Sequence, residues 1–457
     1  MPTWLLLPRR EKLKPSSHQM VLSLKGQDEY YYYALATAKS VTLMPNTNDK
    51  LVLPLLTEDL PGIGGVIKTR HEDFIVEESP AYEPSGEGTH VYALIEKRGI
   101  TTIHALSRIA KALKMGRKYI GFAGLKDTHA VARQWISIEH INPDSLLQLQ
   151  LPGVKVLRLA RHRNKILLGH LSANSFTIRI RNFTPPPQQA VRQTEEMLAV
   201  LTRRGVPNFF GPQRFGNRND GHLLGKAIIT GQIEQFLDIF LGRPEQCEPA
   251  VFVTARTLYE KGDYQKAYDS WPNSFFEQRH ALEQLLNNPA GKKKAYNAID
   301  KHLRRLYISA YQSHIFNRTL TARMPLIDKL IEGDMAYKHE NGACFRVENP
   351  QAEQPRCDAF EISPTGPIFG RRMTELTGPA GAIENPMLTE VRELTDNFNS
   401  LGKPTTGGSR RPLRFRPKNT KVSAGQDDLG DYIELQFSLH SGCYATTLLR
   451  EITKSKT

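Results

Sequence analysis

The chain has 457 residues, length enough for about two or three domains and a sizeable buried core. Its 61 Lys+Arg against 47 Asp+Glu leave a formal charge of +14, which suits a polyanionic partner without identifying one. No apolar run approaches the roughly 20 residues of a membrane helix, so spanning a membrane is excluded.

The four cysteines, Cys247, Cys344, Cys357 and Cys443, lack zinc-binding spacing and read as reduced thiols of a cytoplasmic protein. The opening apolar stretch is too short for an export signal, and no positive region precedes it. Residues 1–54 show no sustained period and read as a poorly ordered extension, with Met20 and Met44 as alternative starts.

Strand-like runs begin at 73–78 and 90–95. A helix is then expected, capped by Thr101 or Thr102, carrying Ile103, Leu106, Ala110 and Leu113 at helical spacing and stopped by Gly116. Three more strands are expected around 119–123, 134–138 and 175–181. In the last, Phe176, Ile178 and Ile180 alternate with Thr177, Arg179 and Arg181. The turn at Thr184-Pro185-Pro186-Pro187 leads to an amphipathic helix ending at Gly205.

From 218 to 405 the pattern becomes largely helical, and a Gly/Pro/Arg-rich stretch at 402–418 precedes a strand at 432–439 and a final helix. Those last elements are too small to fold alone and are expected to return to the first sheet. The organisation expected is a catalytic domain of 55–217 and 406–457 interrupted by an insertion domain at 218–405.

Candidate chemistry centres on Gly124-Leu125-Lys126-Asp127, which places a carboxylate in a short loop between two strand-like runs. Taken alone, such an aspartate reads as a turn former or cap. Phe176, on the face of Ile178 and Ile180, equally reads as core. The run Phe210-Gly211-Pro212-Gln213-Arg214-Phe215-Gly216 fits either an RNA-facing wall or a packed loop. Basic runs at Arg161, Arg163 and Lys165, and at Arg410, Arg411, Arg414, Arg416 and Lys418, suit phosphates, although such runs are commonly only solvated. Gly62-Ile63-Gly64-Gly65 lacks the third spaced glycine of a dinucleotide loop, and His162, His170 and His222 form no ligand pattern.

Several segments together resemble the TruD family of tRNA pseudouridine synthases. Beside Gly124-Leu125-Lys126-Asp127 they are Lys68 before Glu72-Asp73-Phe74, Gly86-Glu87-Gly88, Asn174-Ser175-Phe176 and Val206-Pro207-Asn208-Phe209-Phe210-Gly211-Pro212-Gln213-Arg214-Phe215. Further on come Ser309-Ala310-Tyr311-Gln312, Thr365-Gly366-Pro367, Arg410-Arg411-Pro412-Leu413 and Gly442-Cys443-Tyr444-Ala445-Thr446. Where the family often has Pro before that last Gly and Ser after it, this chain has Ser441 and Cys443.

The resemblance implies an α+β pseudouridine synthase fold, with a mixed, mainly antiparallel central sheet interrupted by a largely helical insertion domain. It implies isomerisation of uridine 13 of tRNA, with Asp127 as the catalytic nucleophile or base and the flipped-out uracil stacked on Phe176. Lys68, Phe74, Asn174, Gln213, Arg214 and Phe215 are the further substrate-binding residues expected, and Arg161, Arg410 and Arg411 the backbone contacts. A carboxylate in a closed pocket needs a neighbouring cation to stay charged, and Lys68 is the first candidate for it. The rearrangement is redox-neutral, so no cofactor and no metal is expected. The partner expected is tRNA or another RNA, met by a monomer without a required protein partner. A binder without turnover would gain nothing from an anion among phosphates, and the zinc set of a deaminase is missing.

Overall fold

A computed structural model describes residues 51–455, apart from 247–248, 372 and 396–406. The expected N-terminal extension, over residues 1–50, and Cys247 lie outside the described residues. The first half of the chain supplies strands β1 (Gly64–Val66), β2 (Phe74–Pro80), β3 (His90–Arg98), β4 (Ile120–Phe122), β5 (Val131–Glu139), β6 (Val154–His162) and β7 (Leu171–Phe183). After β8 (Val206–Pro207) comes a run of helices, then β9 (Met335–Lys338), β10 (Cys344–Arg346), β11 (Ile362–Ile368), β12 (Ser409–Pro412) and β13 (Arg414–Phe415). The chain closes with β14 (Lys418–Asp427), β15 (Gly430–His440) and the helix Ala445–Thr453.

Among the described residues, nine strands form one sheet in the order β14-β15-β7-β2-β5-β3-β6, with β1 on β7 and β4 on β5. Every pairing is antiparallel except β2 with β5. The fold is therefore the mixed, mainly antiparallel α+β arrangement that the sequence leads one to expect. The late strands do return to the first sheet, β15 pairing with β7 from Tyr432↔Arg181 to His440↔Ala173.

Two cores flank the sheet. Helices Pro187–Arg204 and Ala445–Thr453 bury Met197, Leu201, Leu448 and Ile452 against Ile178, Ile180, Ile433 and Leu435. Helix Thr102–Ala112 buries Leu106 and Ile109 against Val91, Ala93, Ile95 and Ile136. Each such side chain contributes roughly 1.5–3 kcal/mol by leaving water. Thr101 caps that helix by accepting from the amide of His104 at 3.1 Å. It ends at Ala112, short of Gly116, because Lys114 takes the left-handed conformation at φ 51° and the Met115 amide returns to Ala110. The helix over 187–204 stops where expected, with Gly205 at φ 95°. A Cβ there would also press within 2.9 Å of Arg414.

The segment 218–405 is helical as expected up to Arg323, its longest helix being Lys301–Arg323. It then departs from expectation with β9, β10 and β11, which β12, beyond residue 405, completes as the four-stranded sheet β10-β9-β11-β12. These strands are short, and Pro364 and Pro367 in β11 disguise their period. β14 and β6 were likewise not foreseen. In β6, long basic side chains interrupt the apolar alternation. No helix among the described residues is long and apolar enough to cross a membrane.

Candidate active site

Residues 123–130 link β4 to β5, and Asp127 stands in this loop with its side chain 44% exposed. Three buried polar side chains grip the loop by its backbone. Gln134, on β5, donates to the carbonyl of Gly124 at 3.2 Å. The Thr102 hydroxyl accepts the Lys126 amide at 2.9 Å and donates to Gln134 at 2.9 Å. Lys97, near the end of β3, donates to the carbonyl of Asp127 at 2.5 Å. A loop pinned by groups that are themselves packed loses little freedom when substrate arrives, which is how a reacting carboxylate is held in place.

The cation facing Asp127 is Lys68, its Nζ 3.4 Å from a carboxylate oxygen. Lys68 adopts the left-handed backbone conformation at φ 62°, costly for a residue with a Cβ and usually kept only where surroundings demand it. The segment that follows is firmly held. Asp73 accepts two bonds from Arg181, at 2.7 and 2.8 Å, and a third from the amide of Arg70 at 3.2 Å. The Lys68 ammonium also lies 4.3 Å from the centre of the Phe74 ring, a cation–π contact.

Phe74 meets Phe176 edge-on at 6.0 Å, and Phe176 stacks on Phe437 at 5.2 Å. Of these rings Phe74 and Phe437 are 2% exposed, whereas Phe176 is only half-buried. Phe176 thus differs from Ile178 and Ile180 on its own face, which are wholly buried. Phe74, expected to touch substrate, is buried between the Lys68 ammonium and Phe176.

Asn174, cross-strand from Glu78, accepts from Lys126 at 2.6 Å. Lys126 also pairs with Glu78 at 2.7 Å, their side chains 6% and 0% exposed, and Glu78 accepts the Trp135 amide as well. Burial pushes the Glu78 carboxyl up, and Lys126 opposes that shift. Asn174 therefore acts on the loop through the neighbour of Asp127.

The remaining candidates lie elsewhere. Gln213 is exposed on the short turn Pro212–Phe215, Arg214 stacks 5.0 Å from the Phe210 ring, and Phe215 is buried beside Phe209 and Phe316. Arg161 is exposed on the edge strand β6. Arg410, expected at a phosphate, grips Glu384 with two nitrogens, at 3.0 and 2.5 Å, and Thr365 with the third. Its side chain is only 6% exposed, so a phosphate would have to displace a buried carboxylate. Arg411 is similarly engaged, with Asn208 and the Gly442 carbonyl, and lies 4.4 Å from the Phe210 ring.

Sequence reasoning missed Glu78, Lys97, Lys126, Thr102 and Gln134. The signal was available in two of them, since Glu78 falls in phase with Phe74 and Val76, and Lys97 with Val91, Ala93 and Ile95. A charge at an inward position of a strand marks a buried partner.

Comparisons with known proteins point to one family. The family model for tRNA pseudouridine synthase D (TruD) matches residues 51–452. A tRNA pseudouridine synthase D of Geobacter metallireducens is 43% identical over 399 residues, covering 87% of this chain and 97% of that protein. One from Geotalea daltonii is 43% identical over 403 residues, covering 88% and 100%. A crystal structure from Methanosarcina mazei, described as a tRNA pseudouridine synthase D, superposes with a TM-score of 0.77 at 29% identity over 92% of this chain and 98% of that one. By the family model and these relatives, the chain belongs to the TruD family of tRNA pseudouridine synthases.

Proposed function

We propose that this isomerase converts uridine 13 of tRNA to pseudouridine, with Asp127 as its catalytic nucleophile or base. The observation that carries the proposal is a half-exposed carboxylate on a pinned loop, 3.4 Å from Lys68, whose ammonium ties it to the aromatic group that ends in the half-buried Phe176. In the reaction N1–C1′ breaks, the uracil turns, and C5–C1′ forms. The C5 proton is lost and N1 gains one, so atoms and electrons balance without an oxidant. A carboxylate serves either as the nucleophile that holds the base or sugar between bonds or as the base that takes a proton.

The uracil must leave the RNA stack, and the open part of Phe176 offers it a ring face. Asn174 supports the site through Lys126. Gln213 and Arg214 line the approach, and Arg161 supplies a phosphate contact at the sheet edge. The catalytic unit comprises 55–217 and 406–457, the insertion 218–405, and the RNA runs in the cleft between them. The protein works as a cytoplasmic monomer.

The test is to incubate the protein and Asp127→Asn with unmodified bulk tRNA and map pseudouridine by carbodiimide-dependent reverse-transcription stops. A stop at uridine 13 with the native protein, and none with the variant, is the expected outcome. The variant should lose on the order of 10⁴-fold or more in rate, with folding stability unchanged within about 0.5 kcal/mol because the side chain is half-exposed. A native protein that leaves uridine 13 unmodified would defeat the site assignment, and full activity in the variant would defeat the role of Asp127.

A further inference from the structure

Lys97 is the one charged member of a buried row. Val91, Ala93, Ile95 and Lys97 alternate along β3 facing the same way, and all four are 0% exposed. Burying an ammonium is costly unless its protons find acceptors. Lys97 finds two, the carbonyl of Ile100 at 2.9 Å and that of Asp127 at 2.5 Å. Neither is needed to hold β3 in the sheet, since the backbone already pairs Lys97 with Ala132 on β5 and Val154 on β6. A methionine would fill the same row without the desolvation. What the lysine adds is a hold on the residue that carries the carboxylate, across 30 positions of chain.

We propose that Lys97 is a positioning residue of the uridine isomerisation, a buried ammonium that fixes the backbone of Asp127 and adds a positive charge to its surroundings. This rests on Asp127 being the catalytic group. The charged groups acting on Lys97 are Asp127 and Lys126, both on the loop above it, while its cross-strand neighbours Ala132 and Val154 are uncharged. Burial lowers the Lys97 ammonium from 10.5 to about 8, and Lys126 adds to the shift while Asp127 opposes it.

The sign separates this role from a merely structural one. Because the folded-state value is depressed, the folded chain binds fewer protons than the unfolded chain between about pH 8 and 10.5. The contribution of Lys97 to stability therefore rises with pH through that window. Positioning goes the other way: losing the proton turns charge-assisted bonds to Asp127 and Ile100 into weaker neutral ones.

The experiment measures kcat and KM for tRNA isomerisation, and thermal stability, across this pH range for the native protein, Lys97→Arg and Lys97→Met. Ionisation of the substrate uridine affects all three alike. The native kcat should fall with a midpoint near pH 8, without a matching fall in melting temperature. Lys97→Arg, charged throughout, should retain most activity and lose that midpoint. Lys97→Met should lose about 100-fold in kcat, the scale for misplacing a reacting group by about an ångström. Its KM should stay within about twofold, with no midpoint near 8. A Lys97→Met protein with native kcat, or a midpoint that persists in Lys97→Arg, overturns the inference. If Lys97→Met does not fold, the native profile against that of Lys97→Arg decides alone. A native protein that isomerises no uridine defeats the reading of Asp127 and this inference with it, whereas an active native protein indifferent to Lys97 defeats the inference only.

Discussion

The two lysine–carboxylate pairs at the catalytic loop, formed with adjacent residues of the chain, sit in opposite environments. Lys126 and Glu78 are 2.7 Å apart and almost wholly buried, while Lys68 and Asp127 are 3.4 Å apart with side chains 22% and 44% exposed. Asn174 and the Trp135 amide also engage the inner pair. The outer pair leaves a carboxylate open on one side. A buried pair is a poor place for chemistry, because moving either charge leaves the other stranded in a low dielectric. An open pair can exchange its partner for a substrate at little cost. The inner pair therefore fixes the loop and the outer pair is free to react.

Breaking the inner pair should have the larger effect. Glu78→Gln leaves the Lys126 ammonium buried with only neutral side-chain acceptors, and should cost about 3–5 kcal/mol in urea unfolding. Adding Lys126→Met to it should recover much of that loss, as removing both charges leaves nothing uncompensated. Recovery of stability without recovery of turnover would sharpen the contrast, since the loop would then fold but lack its anchor.

Next in size is the outer pair. Lys68→Met should lower kcat about 100-fold, near 2.7 kcal/mol, yet change folding stability by less than about 1 kcal/mol. A large loss of stability instead would mean that the two pairs are alike and that the distinction is mistaken.

The smallest effects on turnover are expected from two arginines outside the loop. Arg161→Ala should weaken tRNA binding and reduce its salt dependence by about one counterion, leaving kcat alone. Arg410→Ala should do the reverse, lowering stability because Glu384 is left buried and unpaired. Equal salt slopes in the two variants would show that Arg410 reaches RNA after all.

Much of the fold was legible in the chain. The alternation over 175–181 marked β7, the helix over 187–204 ended at its glycine, and the closing strand was assigned back to the first sheet. The small sheet of β9 to β12 was not, because its strands are three to seven residues long and two of their positions in β11 are proline. Asp127 was found through its motif, and Lys68 with it. The fates of Phe74 and Arg410 were not visible, since composition cannot tell an aromatic ring that stacks on a base from one that carries a lysine, or a phosphate-binding arginine from one locked on Glu384.

The sequence by itself determined the periodicities, the loop bearing the carboxylate and the excess of basic charge, all of which are local or summed properties of residues. Only the tertiary structure decided which inward face ends open, so that Phe176 is half-buried while Ile178 two positions later is not. It alone brought Glu78 to Lys126 and Lys97 to Asp127, because pairing of β2 and β3 with β5 joins residues that are 48 and 30 positions apart. Those contacts depend on strand register, and register is fixed by the packing of the whole sheet rather than by any segment within it.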